Sequence, residues 1–151
     1  MGDKATTTTE RQGWMGLLAR SPSVRVAERM AELADLPEFA WLRAPESGGV
    51  MVRGRMGGTG APFNLGEMTV TRCTLQLTSG EVGHAHVQGR DRRHAEQAAL
   101  VDALTQGPRA DEVRTAVLDP LAEAKQGERT VRAAKAAATK VDFFTMVRGE
   151  D

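Results

Sequence analysis

At 151 residues the chain has the length of one domain with room for a hydrophobic core. Lys plus Arg and Asp plus Glu both number 20, so global charge predicts affinity for neither nucleic acid nor membrane, and any anion site has to be local. A lone cysteine, Cys73, excludes an intrachain disulfide and a Cys-x-x-Cys metal or redox pair, and aromatics are only 4% with no tyrosine, so the core must rest on Leu, Val, Met and Ala.

No stretch nears the length of a membrane span, and there is no charged-then-hydrophobic leader; the expected location is the cytoplasm. Residues 1–9, small and polar, are expected to form a disordered tail ahead of a single domain over residues 10–151. Trp14, Leu17 and Leu18 share one helical face over Glu10–Arg20. Ser21-Pro22 suits a cap and first-turn proline for a second helix reaching about Asp35.

The period then changes. Glu38–Ala44, Val50–Met56, Glu67–Thr78 and Val82–Gln88 are short β-prone segments. Pro45-Glu46-Ser47-Gly48-Gly49, a glycine run and Ser79-Gly80-Glu81 separate them, and connections this short favour antiparallel pairing. Thr71, Cys73, Leu75 and Leu77 alternate onto one face, which makes Cys73 a small buried hydrophobe. Asp91 suits the cap of a helix running to about Gln106, with Gly107-Pro108 as its stop. Ala110–Leu118 reads as helical. Asp119-Pro120 reads as the start of a last helix to about Lys140, with Lys125, Arg129 and Arg132 together and Ala124, Val131, Ala134 and Ala138 roughly opposite. The expected fold is α+β, an antiparallel sheet of about four strands flanked by N-terminal and C-terminal helices.

The richest segment is Arg53-Gly54-Arg55-Met56-Gly57-Gly58-Thr59-Gly60-Ala61-Pro62-Phe63-Asn64-Leu65-Gly66. Glycines allow close backbone approach, and amides beside Arg53 and Arg55 would suit an anion; a wide hairpin with solvated arginines is the alternative. A Walker loop needs Lys-Ser/Thr after its last glycine, and Gly60 is followed by Ala61-Pro62. Gly58-Thr59-Gly60 supplies two glycines of a dinucleotide fingerprint, but Phe63 stands where the third belongs and a strand follows in place of a helix. His94-Ala95-Glu96 matches the first half of the zinc deaminase signature, whose Pro-Cys-x-x-Cys half is missing. His84 and His86 share a strand face and could join His94 around a metal, against ordinary hydrogen-bonded histidines; no metal site is expected.

Arg90, Arg92 and Arg93 surround a helix start, where guanidinium groups and free amides attract oxyanions; an Arg92–Glu96 pair on a solvated face is the plainer alternative. Val141–Arg148 holds Phe143, Phe144, Met146 and Val147 close to the chain end, and so apolar a segment is expected to dock, on its own sheet or on a partner.

Taken together, several segments resemble one family: Arg11-Gln12-x-Trp14-Met15, Arg53-x-Arg55-Met56-Gly57-Gly58-Thr59-Gly60-x-x-Phe63, Thr69-x-Thr71-Arg72, Gly89-Arg90-Asp91-x-x-His94-Ala95-Glu96 and Val141–Gly149. They are similar, in order and over nearly the full chain, to the PhnG subunit of the bacterial carbon–phosphorus lyase system. The resemblance implies a hetero-oligomeric core with PhnH, PhnI and PhnJ, associated with the ATPase-like PhnL. It also implies a shared transferase activity in which an alkylphosphonate displaces adenine from ATP (with Mg) to give ribose 1-phosphonate 5-triphosphate.

The radical step belongs to PhnJ in that system and the nucleosidase-like chemistry to PhnI. No cofactor is expected on this chain alone, and no catalytic residue carries over to it. The residues to follow, as contacts to substrate, anion or a neighbouring subunit, are Arg53, Arg55, Gly57, Gly58, Thr59, Gly60, Arg90, Arg92, Arg93, His94 and Glu96. Trp14, Phe143, Phe144, Met146, Val147 and Arg148 are the expected docking residues. The competing readings are an autonomous enzyme using His94 and Glu96, and a regulatory module that binds a nucleotide or phosphonate.

Overall fold

A computed structural model of the chain describes residues 7–140. Phe143, Phe144, Met146, Val147 and Arg148 lie outside the described residues. Helix α1 (Thr8–Arg20) opens on a capping box: the Thr7 hydroxyl accepts from the Glu10 amide at 3.3 Å, and the Glu10 carboxylate accepts from the Thr7 amide at 3.1 Å. Thr7–Thr9 therefore belong to the helix start and not to a tail. Ser21 does not cap the next helix. Its amide and hydroxyl both donate to the Leu17 carbonyl, at 3.0 and 2.8 Å, closing α1.

Helix α2 (Ser23–Met30) stops short of Asp35. Asp35 takes φ 48°, a left-handed value that aspartate tolerates, and Arg109 donates to the carbonyls of Ala34 and Asp35 at 2.9 and 3.0 Å. This pinned turn sends the chain into the sheet.

Strands β1 (Phe39–Arg55), β2 (Pro62–Leu77) and β3 (Val82–Gln88) pair antiparallel in that order. The fold class is the expected α+β, with three strands in place of about four. The expected turn at Pro45–Gly49 does not form. Glu38–Ala44 and Val50–Met56 fall on one continuous strand whose register slips between Trp41 and Arg43 and again between Arg43 and Glu46. β1 is an edge strand, where a proline without an N–H and a local bulge are tolerated.

Helix α3 (Arg92–Leu104) crosses the inner face of the sheet, touching β2 and β3 on one side and α1 and α2 on the other. Ala95, Ala98, Ala99 and Ala103 are all buried, so this helix is thin enough for close approach. At Gly83 the approach is closest, since a Cβ there would overlap the Ala99 carbonyl oxygen. Leu18, Val26, Leu75, Val87, Val101, Val113 and Val117 fill the core between helices and sheet.

The last helical rod runs unbroken through α4 (Ala110–Val113), a wide π-type turn (Arg114–Leu118) and α5 (Asp119–Ala138). Asp119-Pro120 does not open a new helix, because Leu118 and Asp119 are already helical at φ −74° and −63°. A proline inside a helix lacks one N–H and crowds the carbonyl four residues back. The widened turn just before Pro120 relieves both, which is a recognised setting for such turns.

Candidate functional site

The outer halves of β1 and β2 form a two-stranded arm. β3 pairs with β2 only from Val70 to Gln76, whereas β1 and β2 stay paired to Arg55 and Pro62. Among residues 39–69 none is buried. The arm ends in a tight turn, Met56–Gly58, where Gly57 and Gly58 take φ 60° and 81°, values that glycine alone adopts without strain. Arg55 Nη1 donates to the Gly60 carbonyl at 3.0 Å and closes the loop, which accounts for one of the candidate arginines.

The arm has two faces. Val50 and Val52 alternate with Met51, Arg53 and Arg55, and Phe63 stands opposite Gly54. The register slip between Val52 and Arg53 leaves Leu65 unpaired, and a Cβ at Gly54 would touch both Leu65 and Phe63. Val52, Phe63 and Leu65 therefore share one apolar face, and Arg53 with Asn64 lies on the other. Leu65 is 67% exposed, Phe63 42% and Met56, at the tip, 76%. Apolar patches of this kind on a free-standing ribbon mark interaction surfaces.

The second candidate cluster begins α3. Asp91 caps that helix as expected, accepting from the His94 amide at 2.9 Å, and that bond is the main reason its carboxyl sits below the usual range. The helix start thus already holds an anion, its own. Arg90, Arg92 and Arg93 remain as an exposed flank. His94 is buried, and its Nε2–H donates to the Leu18 carbonyl at 2.9 Å, so the ring links α3 to α1 and faces no solvent-filled site. His84 and His86 are exposed on the opposite face of the sheet, and no group of three or more metal-binding side chains meets among the described residues. Glu96 instead lies within electrostatic reach of Cys73, whose thiol is pushed up to about 11 by burial first and by Glu96 second.

These clusters do not converge. Gly89 donates its amide to the Thr69 carbonyl at 2.9 Å, which sets the α3 start beside the base of the arm. Asn64, opposite Arg53, is roughly 16 Å farther out at about 3.3 Å per residue. Trp14, expected to dock, is buried. Its indole N–H donates to Asp102 Oδ1 at 2.8 Å, and the same carboxylate accepts from Arg11 Nη2 at 2.7 Å, Arg11 Nε at 3.1 Å and the His84 amide at 2.8 Å. Asp102 was not singled out from the sequence: one acidic residue inside an apolar helical run, with Arg11-x-x-Trp14 far upstream, was its only signal.

The family model of phosphonate metabolism protein PhnG matches residues 9–149. The chain belongs to the PhnG family. It is also 46% identical over 149 residues, 99% of this chain and 95% of the relative, to the alpha-D-ribose 1-methylphosphonate 5-triphosphate synthase subunit PhnG of Rhizobium meliloti (strain 1021). The segments that carried the PhnG resemblance fall into two groups here. Arg11 and Trp14 hold Asp102, and the Thr71 hydroxyl donates to the Gly89 carbonyl at 2.8 Å, so these build the body. Arg53–Phe63 builds the arm and its tip.

Proposed function

We propose that this PhnG-family chain serves as the PhnG subunit of an alpha-D-ribose 1-methylphosphonate 5-triphosphate synthase, contributing surfaces to a cytoplasmic complex and no catalytic pair of its own. In this reading it acts with PhnH, PhnI and PhnL, with PhnJ as the further partner. Together they move ribose triphosphate from ATP (with Mg) to an alkylphosphonate and release adenine.

The observation that carries the reading is the arm: a paired ribbon with Val52, Phe63 and Leu65 on one face and nothing in the chain's described residues covering them. A two-stranded hairpin is marginal alone in water, and covering each large apolar side chain stabilises by up to about 1.5–3 kcal/mol. The outer half of α5 supports it, since every residue from Gln126 to Lys140 is exposed. In contrast His94, the one histidine paired with a nearby carboxylate in the sequence motif, is spent on a buried contact to Leu18.

The test is co-expression with the other subunits. A chain carrying Val52→Ser, Phe63→Ser and Leu65→Ser should fold, yet recover at least tenfold less PhnI on affinity purification than the parent. Full recovery would defeat the assembly role of the arm. Release of adenine from ATP by the purified chain alone would defeat the non-catalytic role.

A further inference from the structure

A cleft of about 400 Å³ lies between α1 and the last helical rod, away from the arm. Four basic side chains line it from three segments: Arg20 from α1, Arg114 from the wide turn, and Lys125 and Arg129 from α5. Two carboxylates line it as well, Glu10 and Asp119. Glu10 is drawn off by Thr7 in the α1 capping box, and none of the four cations forms an ion pair with a carboxylate among the described residues. Four positive charges against two negative leave the cleft at +2.

Two of the four cations are placed by their neighbours. The Arg114 guanidinium lies 5.8 Å over the centre of the Trp14 ring, and Asp102 fixes that ring by its indole N–H. Arg20 folds back over Gly16, where a Cβ would stand only 3.1 Å from its Nη2. Lys125 is half-buried, and burial together with the charges of Arg20 and Arg129 pushes its ammonium below the usual lysine range. Grouping like charges in this way opposes folding, and an anion in their midst removes the opposition.

Gly13 offers a way to block the cleft without touching its charges. It lies inside α1 on the wall of the cleft, and a Cβ there would meet no atom within 4 Å. Glycine within a helix is worse than alanine by about 0.5–1 kcal/mol. The space in front of Gly13 is free, and a long side chain at this position would occupy the cleft.

We propose that this cleft binds a small molecule bearing two or more phosphoryl groups, gripped by Arg20, Arg114, Lys125 and Arg129. Guanidinium forks pair with phosphoryl oxygens bidentately, and a monocarboxylate would leave the cleft still positive. The volume lies in the range of small-molecule sites. This inference does not rest on the arm, and the variants below leave the arm untouched.

The experiment is titration calorimetry of the full-length chain with inorganic triphosphate and, separately, with ATP. Saturable binding of triphosphate is expected, weakened at least tenfold by Lys125→Glu with Arg129→Glu. Gly13→Met should also abolish binding while melting at or above the parent's temperature, because it fills the cleft and adds helix propensity. Equal affinity for the two probes assigns recognition to the phosphate chain, and tighter binding of ATP assigns it to a nucleotide; both support the site. No binding of either probe, or binding that survives both variants, overturns it. If neither probe binds and Lys125→Glu with Arg129→Glu instead strips a subunit from the purified complex, the cleft is a protein-docking surface and the proposal fails.

Discussion

The inner and outer halves of β2 are built alike and end differently. Inside, Thr71, Cys73, Leu75 and Leu77 point one way and all are buried, because α3 lies across them. Outside, Phe63 and Leu65 are as apolar as Leu75 and Leu77 and stay exposed, because the register slip at Leu65 turns them onto the face of Gly66 and Arg72, away from α3, and β3 has ended. Side-chain pattern alone therefore does not decide burial. A cover does: the body supplies its own, and nothing among the described residues covers the arm.

That contrast gives an ordered set of tests. The largest effect is expected at Asp102, whose buried carboxylate joins α1, α3 and β3 through Arg11, Trp14 and the His84 amide. Asp102→Ala leaves an indole N–H and a backbone N–H without their acceptor and the Arg11 guanidinium with the Val82 carbonyl alone. Stability should fall by about 3–5 kcal/mol, seen as a lower urea midpoint at unchanged m value. A loss below about 1 kcal/mol would mean that solvent reaches the network and the body is less closed than described.

Gly83→Ala is expected to cost less than Asp102→Ala. The added methyl would drive into the Ala99 carbonyl, so β3 and α3 must separate, at about 1–3 kcal/mol in thermal or urea unfolding. The smallest of the body variants is Asp91→Ala, which removes the α3 cap and should cost about 1 kcal/mol at pH 7. Its sign with pH is fixed by linkage. The folded carboxyl is held below its ordinary value of 3.8, so the stabilisation is present above that value and disappears as pH falls through the lower folded one. Parent and variant should converge in acid, while Asp91→Asn, which still caps, should stay near the parent at pH 7.

Much of the body was legible from local rules. The alternation at Thr71–Leu77 and the cap at Asp91 involve neighbours in sequence, and both stand in the structure as read. What escaped depended on distant partners. Trp14 looked like a docking residue because its acceptor is 88 positions away. His94 read more simply as a hydrogen-bonded histidine than as a metal ligand, but its partner, the Leu18 carbonyl, belongs to another helix and could not be named. Pro45–Gly49 read as a turn because its composition suits one, and only the edge position of β1 makes it a strand. Asp119-Pro120 read as a helix start because nothing local announces the widened turn that accommodates the proline. At the arm, the composition of Arg53–Gly66 stood out, but its apolar face was hidden by the register slip that puts Leu65 beside Phe63.

The sharpest test of the comparison is a variant that should do almost nothing to folding. Replacing Val52, Phe63 and Leu65 with serine in the arm should change the unfolding free energy of the isolated chain by less than about 0.5 kcal/mol, as exposed substitutions do. A single Leu75→Ala in the inner half of the same strand should cost about 2–5 kcal/mol, since Leu75 is wholly buried. Urea melts followed by far-ultraviolet circular dichroism read both. Were the triple variant to unfold as easily as Leu75→Ala, the arm would be covered by its own chain, and its apolar face would no longer call for a partner. With the expected difference, the three side chains contribute little to the isolated chain, and the proposed docking role of the arm stands on surface that the body does not use.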